Sequence, residues 1–415
     1  MALLATRDRA LQNRIIFVST MAGDPWGGSE ELWSRAALDL VSQGLPVSAD
    51  VVEWSTLHPR VLDLRASGVD LWVRPKWYSL REHPWRWMAS RRRGATVYAI
   101  AQLLAARSPA LVVFSDGAAL PPIELLEWCN ARGAPFVTIG QANQEGFWYT
   151  DDLAERYRVA LAAALRCYFV SHANWRLAEK QIGAALPNAE VVWNPINVSR
   201  IASPPWPPLG RDGELRFACV GRLHPPSKGQ DLLFEALAEP SWRGRPWRLH
   251  LYGEGPMREG LGRLAQKLGL SDRIVFAGFA CVEEIWATNH VLAMPSRFEG
   301  LPLAMVEAML CARPVVATDV AGHSEIIEDG VTGFLADAAT AGSMATALER
   351  FWARRTEAED IGKAGSRRIR QLVPPDPVRV FSDKLKRLAG LTTMGRDSWR
   401  EHDVPAPGTG RDRGI

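Results

Sequence analysis

The sequence predicts an α/β protein made of two doubly wound, Rossmann-like domains that face each other across a cleft. Three observations lead there. Short β-rich runs alternate with longer helix-patterned segments through residues 14–193, and the same alternation restarts over 215–320. Strands joined by helical crossovers form parallel sheets with helices on both faces. Between the two halves, NPINVSRIASPPWPPLGRDGE (194–214) carries five prolines and no periodicity, as an interdomain linker does.

In order along the chain, strand runs occupy 14–19, 46–54, 71–73, 111–115, 135–139, 167–170 and 190–193. After the first of them, Leu32, Ala36 and Leu40 recur at i, i+4 and i+8, and Gly44 supplies the stop of a helix. The second half offers strands at 215–221, 247–253, 273–278, 291–296 and 314–320. A last helix is expected within 374–390, and the polar, Gly/Pro-rich segment 391–415 is expected to be disordered. The predicted division is therefore 1–195, 196–373, the helix 374–390 and the tail.

Composition excludes several classes. A formal net charge of +3 is too small to point to nucleic acid. Cys129, Cys167, Cys219, Cys281 and Cys311 form no Cys-x-x-Cys pair, which argues against a metal knuckle or a disulfide framework and for a reducing cytoplasm. The first twenty residues interleave charges with apolar residues, unlike a signal peptide. No apolar run approaches the roughly 18 residues of a spanning helix. The expectation is a cytoplasmic protein that touches a membrane at most from its surface.

Ligands of doubly wound folds bind beyond the carboxyl ends of the strands, where loops meet helix starts. The unusual residues cluster there. In VGRLHPPSKGQDLLFEAL (220–237), Arg222 and Lys228 lie on a loop between strand and helix, a setting that suits a diphosphate or, equally, ordinary surface charge. In LYGEGP, Gly253 and Gly255 punctuate a strand-to-helix turn and permit close backbone approach to a ligand. In PSRFEGLPLAMVEAM (295–309), Gly300 allows a sharp turn and Pro302 can open a helix. Unpaired backbone N–H groups around Gly300 to Leu303 would then face the cleft. Glu307 falls inside an apolar run, and a buried carboxylate needs a partner. Two ribose hydroxyls would serve, as would Arg297, Arg313 or a buried backbone N–H.

The ordered set VGRL, SKG, YGEGP, VFAGF, MPSRFEGLPLAMVEAM and ARPVVATDVAGHSEIIEDGVTGFL resembles the donor half of glycosyltransferase family 4 over most of 215–340. The resemblance is looser in the first half, through GGSEELWSRAALDLVSQG and FVSHANW. It implies the GT-B fold, with the C-terminal helix crossing back onto the N-terminal domain, and a retaining transfer from a nucleotide-diphosphate sugar. By that resemblance Arg222 and Lys228 would hold the diphosphate and compensate the departing charge. Glu299 would contact sugar hydroxyls and Glu307 the ribose. Gly300, Leu301, Pro302 and Leu303 would meet phosphate and sugar. Phe279 would sit at the base-binding loop, and Gly27 and Gly28 would let the first loop approach the donor. No Asp-x-Asp motif occurs, which fits a site where cations, with no metal or other cofactor, neutralise the phosphates.

Many family members carry a histidine after the strand that corresponds to PFVTI. Here Gly140 and Gln141 stand at that place, and Gln141, Asn143, Gln144 and Glu145 are candidates to contact sugar hydroxyls instead. A smaller departure is Ala312, where the family carries glycine, from which little effect is expected. Residues 74–93 interleave Trp77, Tyr78, Trp85 and Trp87 with six arginines and one lysine. That run suits peripheral membrane contact, an aromatic acceptor platform or a solvated basic helix. The expected partners are a nucleotide-sugar donor and a glycan or lipid-linked acceptor. A nucleotide-sugar epimerase, a phosphorylase or a non-catalytic binder on the same scaffold are the alternatives.

Overall fold

The computed structural model describes residues 14–21, 25–54, 56–74, 95–107, 109–201 and 203–391. The aromatic and basic run after Arg74 and the tail beyond 391 lie outside the described residues. The first half comprises β1 (Ile15–Ser19), α1 (Gly28–Ser42), β2 (Val47–Val52), α2 (Pro59–Ala66), β3 (Asp70–Arg74), α3 (Ala95–Arg107), β4 (Leu111–Asp116), α4 (Ile123–Arg132), β5 (Phe136–Gly140), α5 (Asp151–Ala162), β6 (Arg166–Phe169), α6 (His172–Ile182) and β7 (Ala189–Val191). The second comprises β8 (Leu215–Val220), α7 (Pro225–Lys228), α8 (Gln230–Leu237), β9 (Trp247–Tyr252), α9 (Arg258–Lys267), β10 (Ile274–Gly278), α10 (Val282–Thr288), β11 (Val291–Met294), α11 (Leu303–Leu310), β12 (Val315–Thr318), α12 (His323–Ile326), β13 (Gly333–Ala336), α13 (Ala341–Ala353) and α14 (Ala358–Leu372). Helix α15 (Pro377–Leu388) follows.

The strands form two parallel sheets, ordered β3-β2-β1-β4-β5-β6-β7 and β10-β9-β8-β11-β12-β13. Strand β1 shows why a parallel sheet results. All five of its residues are buried. Ile15 and Phe17 pack with Leu32, Trp33, Ala36 and Leu40 of α1 on one face, while Ile16 and Val18 pack with Ile100, Leu103 and Leu126 on the other. A strand apolar on both faces needs helices on both sides. In each sheet the strand order reverses once, between β1 and β4 and between β8 and β11. These reversals are the places where such folds open a ligand crevice.

Every expected strand is present, and one more was not expected: β13, four buried residues (GFLA) hydrogen-bonded to β12. A short run that starts on glycine gives no β signal of its own. Its place is set by the neighbouring strand.

The last helix does cross back. Phe381 and Leu385 of α15 are buried in the same cluster as α1 and β1, and the Phe381 ring meets Tyr168 at 5.3 Å and 84°. Lys384 pairs with Glu190, and Lys386 reaches the Gln43 side chain at 2.7 Å. Pro377 and the Asp376 side chain, which accepts from the Arg379 N–H at 2.8 Å, start the helix. The two chain crossings between the domains are tied together by Arg200. Its guanidinium donates to the carbonyls of Arg370, Val373 and Pro374 at 2.7–3.1 Å. The proline-rich linker is therefore pinned along its length, and the buried Arg313 adds a bond to the Pro205 carbonyl at 2.7 Å.

Two expectations need correction. Arg74 does not belong to a solvated basic surface: it is fully buried, ion-paired with the equally buried Asp50, and donates to the Ser19 carbonyl at 2.5 Å. Ala312 has φ +56°, a left-handed conformation that costs an alanine roughly 1–2 kcal/mol. The residue is strained, so its exchange for glycine is not neutral to the backbone.

Candidate active site

The two strand reversals face each other. On the N-terminal side, α1 starts at Gly28 directly after its N-cap Gly27. Across the cleft, α11 starts at Leu303 after Pro302. A Cβ on Gly28 would lie 3.6 Å from Leu303 Cδ1, so the two helix starts meet. Each presents unpaired backbone N–H groups and the positive end of a helix dipole. Gly27 lies against the Met21 side chain.

Lys228 and Glu299 are brought together. The Lys228 Nζ donates to Glu299 Oε1 at 2.5 Å, and the Ser296 hydroxyl donates to the same oxygen at 2.7 Å. Glu299 is 7% exposed. What joins two residues so far apart in sequence is the loop before α8. Gly229 has φ +63°, and a Cβ there would run into the Pro295 carbonyl, so only glycine lets the loop lie on the strand end. Arg297 then clamps it. Its fork binds both oxygens of Asp231 at 2.7 Å, and its backbone N–H donates to the Ser227 carbonyl at 2.8 Å.

Arg222 is exposed on the turn directly after β8. Its carbonyl accepts from the Gln230 side chain at 2.7 Å. The glycines of LYGEGP support this turn. A Cβ on Gly253 would strike the Gly221 carbonyl and one on Gly255 the Leu223 carbonyl.

Gly300 likewise owes its place to packing. A Cβ there would collide with the Gln141 carbonyl of the other domain and press on Val170, and its φ is not in the left-handed range. Leu301 is buried and Pro302 caps α11 from outside the helix, one residue earlier than a helix-opening proline. Gln141 is itself buried, and its Oε1 accepts from Asn194 at 2.8 Å. Gly140 is hemmed in by the Ala119 carbonyl and Phe169, so no larger residue fits at that place. Asn143 is committed to Gln181 at 2.8 Å, while Gln144 and Glu145 are exposed. Phe279 is 83% exposed at the end of β10.

Glu307 is buried and its partner is none of the arginines. Oε1 accepts the backbone N–H of Asn197, in the linker, at 3.0 Å. Arg297 is occupied by Asp231 and Arg313 by backbone carbonyls. Burial raises the Glu307 carboxyl above its ordinary value, and the Asn197 bonds oppose this. A carboxylate oxygen has two lone pairs, so room for a further donor remains.

Sequence reasoning missed Glu30. It lies on the buried face of α1, at i with Trp33 and Ala37 at i+3 and i+7, a spacing that could have marked it. It lines a small pocket with Trp26, Trp54 and His58, where Trp26 and His58 stack at 5.2 Å. Trp33 Nε1 donates to Glu30 Oε2 at 3.0 Å. Burial pushes the Glu30 carboxyl up to about 7 from 4.5, against the pull of hydrogen bonds from Ser19 and Trp33 and of the Arg74 charge, with Asp116 adding to the rise. The folded chain therefore keeps this proton between pH 4.5 and about 7 while the unfolded chain has released it. Stability falls as pH rises through that window, by up to about 3 kcal/mol. Asp116, also raised by burial, acts in the same direction. Glu30→Gln should thus gain on the natural protein in melting temperature between pH 5 and 8. A difference that stays constant across those pH values rules this assignment out.

The fold defines the class. The chain superposes on Anabaena HepE, solved with UDP-glucose, with a TM-score of 0.66 and 19% identity, over 91% of this chain and all of that one. It superposes equally on the sucrose-phosphate synthase of Thermosynechococcus elongatus, with a TM-score of 0.67, 18% identity and coverage of 90% and 98%. This is the GT-B fold. Residues 214–354 match the family model described as Glycosyl transferases group 1, and the chain resembles the family 4 glycosyltransferases. Over 134 residues it is 38% identical to the alpha-D-kanosaminyltransferase of Streptomyces kanamyceticus, covering 32% of this chain and 34% of that one. Over 157 residues it is 36% identical to a GDP-mannose-dependent phosphatidylinositol monomannoside mannosyltransferase of Mycolicibacterium smegmatis, covering 35% and 41%. The matches thus span between about a third and two fifths of these relatives' length. Among the described residues no helix is long and apolar enough to cross a membrane.

Proposed function

We propose that this protein is a retaining glycosyltransferase that moves a sugar from a nucleotide-diphosphate donor to a glycan or lipid-linked acceptor without a metal ion. The observation that carries the reading is the Lys228–Glu299 pair at 2.5 Å, placed at the strand reversal beside the facing starts of α1 and α11. In the donor, diphosphate and sugar are bonded neighbours. A cation for one and a carboxylate for the other must therefore be neighbours too. Sugar departure builds negative charge on the diphosphate. Lys228, Arg222 and the N–H groups at Gly28 and Leu303 are preorganised to stabilise it. Glu299 then orders sugar hydroxyls, and Glu307 takes ribose hydroxyls while its Oε1 stays anchored to Asn197. Phe279 offers an exposed ring to the base, and Gln141 and Gln144 border the sugar from the N-terminal domain.

The relatives and structural neighbours that carry transferase names, and the UDP-glucose bound to HepE, support this reading. A lipid-linked acceptor would place the chain at a membrane face, in the cytoplasm. A thermal-shift screen against UDP-, GDP-, ADP- and TDP-sugars tests the donor class: one series should raise the melting temperature with concentration. No stabilisation by any of them sinks the reading. Within that class, Glu307→Ala should weaken nucleotide-sugar binding by about 1–3 kcal/mol through lost hydrogen bonds to the carboxylate. Unchanged affinity by calorimetry, on a folded variant, removes Glu307 from the ribose site.

A further inference from the structure

Three groups of the C-terminal domain converge on the first turn of one helix of the other domain. The Glu325 carboxylate accepts the backbone N–H of His172 at 3.0 Å and of Ala173 at 2.6 Å, so it closes the start of α6 from across the cleft. Gly322 lies so close to Ser171, the N-cap of α6, that a Cβ there would stand 2.7 Å from the serine Cβ. The Glu299 carbonyl accepts from Asn174 Nδ2 at 3.3 Å. Asn174 is 2% exposed and its own N–H is held by the Ser171 hydroxyl at 3.2 Å. The Gly322 N–H donates to the Gly300 carbonyl at 3.4 Å, which links the start of α12, where Glu325 lies, to the Glu299–Gly300 turn.

The turn that carries Glu299 is thus gripped by its backbone from the opposite domain, while its carboxylate holds Lys228. A carboxylate at a helix start gains from the dipole and from two N–H donors, which makes Glu325 the stronger of the two grips. We infer that Asn174 and Glu325 are positioning residues for the sugar half of the donor site, acting through Glu299 with the first turn of α6 as their common anchor. This rests on the donor reading above. It adds that the N-terminal domain, which does not carry Glu299, sets where that carboxylate stands.

The test separates sugar from nucleotide. Calorimetry measures the affinity for a free nucleoside diphosphate and for its sugar conjugate, using the pair that stabilised the natural protein in the thermal screen. Glu325→Gln keeps the shape and loses the charge. Asn174→Asp keeps the shape and replaces the donor that faces the Glu299 carbonyl. Each variant should bind the sugar conjugate roughly tenfold more weakly, as expected for a lost charge-assisted or buried hydrogen bond, with the free nucleotide affected far less. Equal losses for both ligands would mean a merely structural contact and overturn the inference, as would no loss at all. If one variant does not fold, the other decides. A natural protein that binds none of the nucleotide sugars overturns the donor reading itself, and this inference with it.

Discussion

Lys228→Ala is expected to slow sugar transfer by about 10²–10³-fold, the range found when one preorganised charge-stabilising group is removed. Two effects add. The developing charge on the diphosphate loses a cation. Glu299, whose side chain is 9% exposed, loses its ionic partner and keeps the Ser296 hydroxyl. A buried carboxylate without its counter-ion is left uncompensated and is no longer held in place, so it orders sugar hydroxyls less well. Lysine is only partly buried, so its truncation opens no core cavity, and any fall in melting temperature should come from the uncompensated Glu299 carboxylate alone. Arginine is not expected to restore the rate, because its planar fork does not fit where a compact ammonium meets a single carboxylate oxygen. The measurement is kcat at saturating donor together with thermal unfolding. A rate equal to that of the natural protein rejects Lys228 as the phosphate cation.

Gly229→Ala should cost both activity and stability. At φ +63° the alanine pays roughly 1–2 kcal/mol of backbone strain. The new methyl also meets the Pro295 carbonyl, and such overpacking typically costs a further 1–3 kcal/mol. Relief requires the Lys228 loop to lift from the end of β11, which separates Lys228 from Glu299, so turnover should fall with stability. Gly133→Ala is the control. Gly133 has φ +62°, nearly the same, but a Cβ there meets nothing within 4 Å. It should lose only the strain energy, read by denaturant unfolding, and keep full turnover. If both variants lose the same stability and neither loses rate, the close approach of the two loops is not what sets the site.

Much of this architecture is legible in the chain. The alternation of β-rich runs and helical periods reports each element's own buried face, so every strand but β13 can be read without knowing its neighbours; β13 is placed by its pairing with β12. The glycines can be read as special positions too, but not the reason. Gly229 does need its left-handed φ, whereas Gly300 needs room for the Gln141 carbonyl and Gly253 room for the Gly221 carbonyl. Both collisions come from backbone that is distant in sequence or on another strand, and no local pattern contains it.

The sequence by itself determined that Glu299 would stand on a turn and Glu307 inside an apolar helix, at the carboxyl ends of a parallel sheet, with Arg222 and Lys228 between a neighbouring strand and helix; that Lys228 ends the short helix α7 rather than lying on a loop came from the structure. Only the tertiary structure decided whom these charges meet. Lys228 bonds a residue 71 positions away, Glu307 a backbone N–H 110 positions away, and Glu325 the start of a helix 152 positions away. The same holds for Arg74, which the sequence places in a basic run and the fold buries against Asp50, and for Glu30, whose proton is held by burial against the opposing pull of Trp33 and Arg74. The physical reason is common to all. Side-chain periodicity encodes which face of an element is dry, and that follows from the element alone. The partner of a buried charge follows from desolvation and hydrogen-bond geometry across the contact, and that exists only once the two sheets have closed on each other.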